Sequence, residues 1–298
     1  MARLFLIKIF AGLVRCFIDY KNVLRTRKIL EWLAGLVELK VDGVAVSSQT
    51  IEGIACEWIT PEKAERGMVL LYFHGGGYAL GSIKTHSDLI CHIARCSSTV
   101  ALFVNYRLAP EYTYPAPVQD AVTIYKWLLR NGYTNRQIAF GGDSAGGGVV
   151  AGTINWLRDN GMPPPACAVM ISPWLDMTLS GESVTANRKK DLLLPAEALP
   201  IWRDCYMAQT DLSAPYASTL LHQLQNLPPT YIQAGQNELL LSDAIRYTEK
   251  AKKDGSEVVL EIYPHMFHAF NAFWRMLPQA REANRKLGAF IKLQLSNR

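Results

Sequence analysis

Residues 138–147 read Ile-Ala-Phe-Gly-Gly-Asp-Ser-Ala-Gly-Gly, placing Ser144 between Gly142 and Gly146, after an apolar run and before a helix-compatible segment. A serine on so tight a turn, where strand becomes helix, presents its hydroxyl clear of the sheet and suits it to attack an acyl carbon. Alone the pentapeptide is weak, because at average composition it arises in about one chain of this length in ten. Its bland counterpart is a glycine-rich turn with an ordinary serine. A second run, His74-Gly75-Gly76-Gly77, is expected in on the order of one chain in several hundred, and it follows the apolar stretch Met68 to Phe73. Such a loop offers backbone N–H groups to a tetrahedral oxyanion, and glycine lets the backbone turn and approach the substrate closely. The expected donors are Gly76 and Gly77, joined by Ala145 after the serine. The competing reading is a phosphate-cradling loop, but no Gly-Lys-Ser/Thr pattern follows.

Where a strand-to-helix turn presents the serine, the acid and then the histidine follow it along the chain. His74, His86 and His92 precede Ser144, and His74 is better suited to bracing the oxyanion loop. His222 sits in a polar connecting segment and reads as a surface side chain. His265 and His268 both follow the last expected strand, and His268 is preferred because it lies deeper in that loop, just before a helix-compatible segment. The acid belongs at the exit of the preceding strand, Thr230 to Ala234, where the turn reads Gly-Gln-Asn-Glu and Glu238 can orient an imidazole. Asp243 is the alternative. Its ordinary role would be a helix-start carboxylate favoured by the dipole.

Six short apolar runs can position these residues: Met68 to Phe73, Val100 to Val104, Ile138 to Phe140, Ala168 to Ile171, Thr230 to Ala234 and Val258 to Tyr263. They read as strands buried on both faces. Helices fall between them, from Val118 to Leu129 after Pro117, and from Asp243 to Lys253 after an expected N-cap at Ser242. The alternation predicts an α/β protein with a mostly parallel central sheet flanked by helices. Residues 179–214 break the pattern, with no strand signal and with Trp202, Tyr206 and Met207 among their large apolar residues. They read as a helical insertion over the sheet.

A chain of 298 residues, 49% hydrophobic and 19% charged, can bury one large core. The net charge of +5 is too small for a nucleic-acid binder. Residues 1–30 carry seven Lys or Arg against Asp19 alone, so the basic excess belongs to an N-terminal arm. Arg3, Lys8 and Arg15 interrupt its apolar run well short of the ~20 residues that span a bilayer. The arm reads as an amphipathic helix packed on the domain, with a membrane surface as the other reading. Six scattered cysteines without a CxxC pair fit reduced thiols in a cytoplasmic enzyme. Metal-ligand spacing is absent.

Taken together, His74-Gly75-Gly76-Gly77, Tyr106-Arg107-Leu108-Ala109-Pro110-Glu111, Gly142-Asp143-Ser144-Ala145-Gly146-Gly147 and His265-Met266-Phe267-His268 resemble the hormone-sensitive-lipase-like esterases, bacterial family IV, from about Lys40 to the C-terminus. The resemblance implies an α/β-hydrolase fold with a helical cap, formed here by residues 1–40 and the 179–214 insertion on a catalytic domain of residues 41–298. It implies a serine carboxylesterase acting on small esters of short to medium acyl chain, with no cofactor or metal; a homodimer stays open. The family's acid motif usually carries Asp where this chain has Glu238, a substitution that one branch shares. Its Ser-Pro-Leu appears as Ser218-Thr219-Leu220, a departure confined to a local turn. An amidase or lactonase with the same triad is the alternative within hydrolases. The family also resembles plant hormone receptors that have lost the catalytic histidine, and the presence of His268 argues against a binding protein.

Overall fold

The computed structural model describes residues 2–36 and 41–297. Within the expected N-terminal cap, residues 37–40 and the side chains of Arg15 and Cys16 lie outside the described residues. Eight strands form one sheet: β1 (Val44–Ile51), β2 (Ile54–Pro61), β3 (Glu65–Phe73), β4 (Thr99–Val104), β5 (Ile138–Asp143), β6 (Cys167–Ile171), β7 (Thr230–Gly235) and β8 (Val258–Tyr263). Their spatial order is β1-β2-β4-β3-β5-β6-β7-β8, antiparallel at β1/β2 and β2/β4 and parallel from β4 onward.

The inner parallel strands are apolar on both faces because two separate cores cover them, whereas β8, expected to be buried on both faces, lies at the sheet edge and leaves Val259 and Ile262 exposed. Along β3, Val69, Leu71 and Phe73 face one core, and Met68, Leu70 and Tyr72 face the other, the period of two that a pleated strand imposes. Helices α4 (Ala116–Arg130), α5 (Ala145–Asp159) and α8 (Leu241–Lys253) fill the first side through Ile124, Val149 and Ala244. Helices α3 (Ile83–Ser97) and α9 (Pro278–Ser296) fill the second through Ile90, Leu287 and Ile291. All six expected strands are present. The hairpin β1/β2 is additional, and most of β1 is exposed, so no continuous apolar run marks it.

Helix α4 carries Pro117 in its first turn, where a missing N–H costs nothing, and is capped at Asn131. Helix α8 begins one residue before Ser242, which corrects the expected cap: Leu240 occupies that position and supplies no side-chain bond. The Ser242 hydroxyl instead accepts from the Ser183 amide at 3.0 Å, while the Ser183 hydroxyl accepts from the Ser242 amide at 2.9 Å. The pair joins the insertion to α8. Within residues 179–214 lie only α6 (Ser183–Ala186) and α7 (Ala198–Met207). The rest follows turns with no periodicity.

At the N-terminus, α1 (Ala2–Phe17) and α2 (Val23–Leu36) run over the carboxyl ends of the parallel strands. Arg27 fastens α2 there. Its guanidinium donates to both carboxylate oxygens of Glu111, at 2.7 and 3.0 Å, to the Ala109 carbonyl at 2.7 Å and to the Ala79 carbonyl at 2.9 Å. A planar fork matches a carboxylate in two places at once. That contact also holds the Glu111 carboxyl below its ordinary range.

Candidate functional site

Ser144 sits between the end of β5 and the start of α5 with φ 53° and ψ −120°. A non-glycine residue held in this region costs on the order of 1–3 kcal/mol, which the surrounding packing must impose. A β-carbon on Gly142 would lie 2.5 Å from the Gly146 carbonyl carbon, and one on Gly146 would run into the Phe73 carbonyl. Both glycines are therefore steric requirements of this turn. The Ser144 amide donates to the Ile171 carbonyl at 2.8 Å, and its own carbonyl accepts from Trp174 at 3.0 Å, so the backbone is tied on both sides.

Beyond β3, the chain turns through His74-Gly75-Gly76-Gly77. His74 is buried, stacks on Tyr106 with ring centroids 4.3 Å apart, and donates from Nδ1 to the Gly75 carbonyl at 2.8 Å. Burial, with His86 nearby, lowers its pKa to about 3, so it braces the loop as a neutral ring. The Tyr106 hydroxyl donates to the His74 carbonyl at 2.7 Å, giving the first residue of the 106–111 motif a role in holding this loop. Gly77 has φ 62°, and a β-carbon there would meet the Trp202 indole at 2.6 Å. No other backbone carbonyl of the described residues is seen to accept from the amides of Gly76, Gly77 or Ala145, the last being a first-turn helix position with no intrahelical partner.

Gly76, Gly77, Ser144 and His268 line one cavity of about 330 Å³ at the carboxyl ends of the strands. Its walls are mostly apolar, with Ala11, Ile18, Tyr20 and Leu30 from the N-terminal helices and Leu193, Leu194, Pro195 and Trp202 from the insertion. His86 also reaches it. Burial works to lower His86, but the Asp143 carboxylate 3.5 Å away outweighs this and raises its pKa. Asp143, beside the serine, also accepts from the Tyr72 hydroxyl at 3.0 Å.

The structure places the two histidines, of which the sequence favours His268, in different surroundings. His265 is exposed, with φ 62°, whereas His268 is buried and faces the cavity. His222 is half-buried and bonded through Nε2 to the Ser213 carbonyl at 2.6 Å, outside the cavity lining. Glu238 is fully buried, and its Oε2 accepts from the Ser172 hydroxyl at 2.6 Å and the Gly235 amide at 2.8 Å. The same Ser172 oxygen accepts from the Ala269 amide at 3.0 Å, so one hydroxyl links the acid to the residue after His268. Glu238 Oε1 and His268 Nδ1 remain buried without a hydrogen-bond partner among the described residues. Burial pushes Glu238 up to about 8 against the pull of Ser172 and Gly235. Burial also lowers His268, opposed by the Asp191 and Asp143 carboxylates. In each case the cost of burying the charged form outweighs the contacts that favour it.

Asp243 stands elsewhere. Its Oδ2 accepts from the amides of Leu175 and Asp176 at 2.9 and 3.1 Å, and its Oδ1 lies 3.4 Å from Arg246. It stands in the first turn of α8, as expected of a helix-start carboxylate, and in addition pins the loop after β6. Asp191 was not singled out from the sequence. One of its oxygens accepts from Leu193, Leu194 and His268 amides at 3.0, 3.1 and 3.4 Å, and the other from Leu239 at 3.0 Å. The insertion, the acid turn and the histidine loop thus meet on one carboxylate. Its only sequence signal is an acid before an apolar run, the mark of an N-cap.

A family model described as alpha/beta hydrolase fold matches residues 70–272. Over 82% of this chain and 81% of the relative, the sequence is 38% identical to an acetyl-hydrolase of Streptomyces hygroscopicus. It is 33% identical to an esterase of Acinetobacter venetianus over 76% of each chain. Among solved structures, an esterase from the bacterial hormone-sensitive lipase family superposes with a TM-score of 0.93 at 38% identity, covering 99% of both chains. An esterase/lipase from an uncultured bacterium superposes at 0.90 with 36% identity, covering 97% of this chain and 98% of that one.

Proposed function

Because this chain belongs to the α/β-hydrolase family, we propose that Ser144, His268 and Glu238 act as nucleophile, base and orienting acid. The chain is a carboxylic ester hydrolase. In the proposed cycle Ser144 Oγ attacks the ester carbonyl carbon as His268 Nε2 takes its proton. The N–H groups of Gly76, Gly77 and Ala145 hold the oxyanion. Collapse expels the alcohol, which takes the proton from His268, and a water deprotonated by the same ring then releases the acid.

The observation that carries this reading is the pair of buried, unmet atoms, Glu238 Oε1 and His268 Nδ1, on loops joined through Ser172 beside the cavity that holds Ser144. A carboxylate facing that ring nitrogen fixes the tautomer whose Nε2 is a free base. It also balances the imidazolium formed during turnover. The α1–α2 pair and the 179–214 insertion act as the cap. A cavity of about 330 Å³ lies at the small end for ligand sites, which favours short to medium acyl chains. A cytoplasmic setting accords with the free thiols of Cys56, Cys91, Cys96, Cys167 and Cys205.

A panel of p-nitrophenyl esters tests the substrate range: kcat/KM is expected to peak between acetyl and hexanoyl and to fall steeply by dodecanoyl. A preference for the longest chain would overturn it. The pH profile tests the base. Turnover needs neutral His268, and its pKa is lowered, so the ring stays neutral to more acid pH than free histidine. The acid limb of kcat/KM should therefore lie below about 6.5. A limb above that value would speak against His268.

A further inference from the structure

The two helices that close the cavity turn a second, different face to solvent. On α2, Val23, Thr26 and Leu30 point inward, the first two buried and the third lining the cavity. Two residues further along, on the opposite side of a 3.6-residue turn, Arg25, Lys28 and Trp32 form an exposed stripe that continues to Leu36. The same offset holds on α1, where Leu4, Ile7 and Ala11 face inward and Leu6 and Ile9 face out. Leu6, Ile9, Leu24, Trp32 and Leu36 each expose between 45% and 63% of their surface. Arg3, Lys8 and Lys21 stand exposed around them. Residues 1–36 hold seven Lys or Arg against Asp19 and Glu31, so the entire net charge of +5 resides on this arm and the remainder of the chain is neutral.

We propose that the outer face of α1 and α2 docks on an anionic lipid surface, with Trp32 and the exposed leucines entering the headgroup boundary and the lysines and arginines facing lipid phosphates. The chemistry is that of an interfacial amphipathic helix, apolar and aromatic side chains rimmed by basic ones. Among the described residues no helix is long and apolar enough to cross a membrane, so the contact is peripheral. A second copy of this chain is the weaker occupant because two faces of the same positive charge repel. Docking there would hold the cap and the cavity beneath it against a surface from which uncharged esters can partition.

Co-sedimentation of the full chain with vesicles tests this, using phosphatidylcholine alone and phosphatidylcholine with about one third phosphatidylglycerol. Binding is expected only to the anionic vesicles. It should weaken strongly between roughly 0.05 M and 0.5 M salt, as the screening length falls below the headgroup spacing. The R25E/K28E double variant should lose about tenfold or more in affinity, and Trp32→Ser should weaken binding at every salt concentration. Both should keep wild-type turnover of a water-soluble acetyl ester, since neither touches the cavity. Ser144→Ala should bind vesicles like the wild type, which separates this proposal from the catalytic one. No binding to anionic vesicles, binding indifferent to both variants, or concentration-dependent self-association through this face in place of vesicle binding would each overturn it.

Discussion

Ser144→Ala is expected to lower ester turnover by about 10⁴- to 10⁶-fold, the range seen when a nucleophile is removed from a triad that acts as a unit. The fold should survive. Alanine keeps the β-carbon at φ 53°, so the backbone cost is unchanged, and the tethering bonds to Ile171 and Trp174 are made by main-chain atoms. Steady-state hydrolysis of p-nitrophenyl butyrate, thermal melting and labelling by a serine-directed phosphonate together decide it. Loss of rate with an unchanged melting temperature and no label supports the assignment. Turnover within tenfold of wild type would remove Ser144 from the mechanism.

Glu238→Gln is expected to cost up to about 10⁴-fold in kcat, comparable to the effect of an amide in place of a triad carboxylate. The reason lies in which way the amide must turn. Ser172 and Gly235 both donate to Oε2, so the glutamine carbonyl takes that place and its NH₂ occupies the position of Oε1. Facing His268 Nδ1, the NH₂ selects the tautomer that carries its proton on Nε2. That ring cannot accept a proton from Ser144. Glu238→Asp keeps the charge but is one methylene shorter, and intermediate activity is expected from misalignment alone. Asp243→Asn serves as the contrast. It disturbs the two buried amide bonds to Leu175 and Asp176 and should lower stability by about 1–3 kcal/mol, with kcat within tenfold of wild type. The reverse pattern, in which Asp243→Asn loses turnover and Glu238→Gln keeps it, would falsify the assignment of the acid.

How far these residues were legible in advance depended on how local their signals are. Strands β3 to β7 could be read because burial on both faces demands unbroken apolar runs, whereas Val44–Ile51, exposed along most of its length at one sheet edge, carries no such run; β8, at the other edge, has an apolar run although Val259 and Ile262 are exposed. The serine and glycine turns were legible because sterics restrict the residue types that fit there. His265 and His268 could be ranked from position, but only the structure buries one and exposes the other. Asp191 and Ser172 were silent. Their importance comes from amides distant in the chain, at Leu239, His268 and Ala269, and no short window of sequence contains both ends of such a bond. Ser242 misled for the opposite reason: its type suits a cap, but its hydroxyl is engaged by Ser183.

The junction at Asp191 bears on how such an enzyme could be diversified. Roof and machinery are usually treated as interchangeable modules, so that a longer or shorter roof retunes the guest without touching the engine. Here the carboxylate that shapes the roof at Leu193 and Leu194 also receives the amides of Leu239 and His268. A graft that shifts residue 191 by an ångström would drag the loops of Glu238 and His268 with it, and if these act as proposed, misplacement on that scale costs about 10²-fold in rate. Changes of guest are therefore best made by exchanging single side chains around the chamber, such as Leu193 or Trp202, while the length of the segment between Ser183 and Pro195 is held constant.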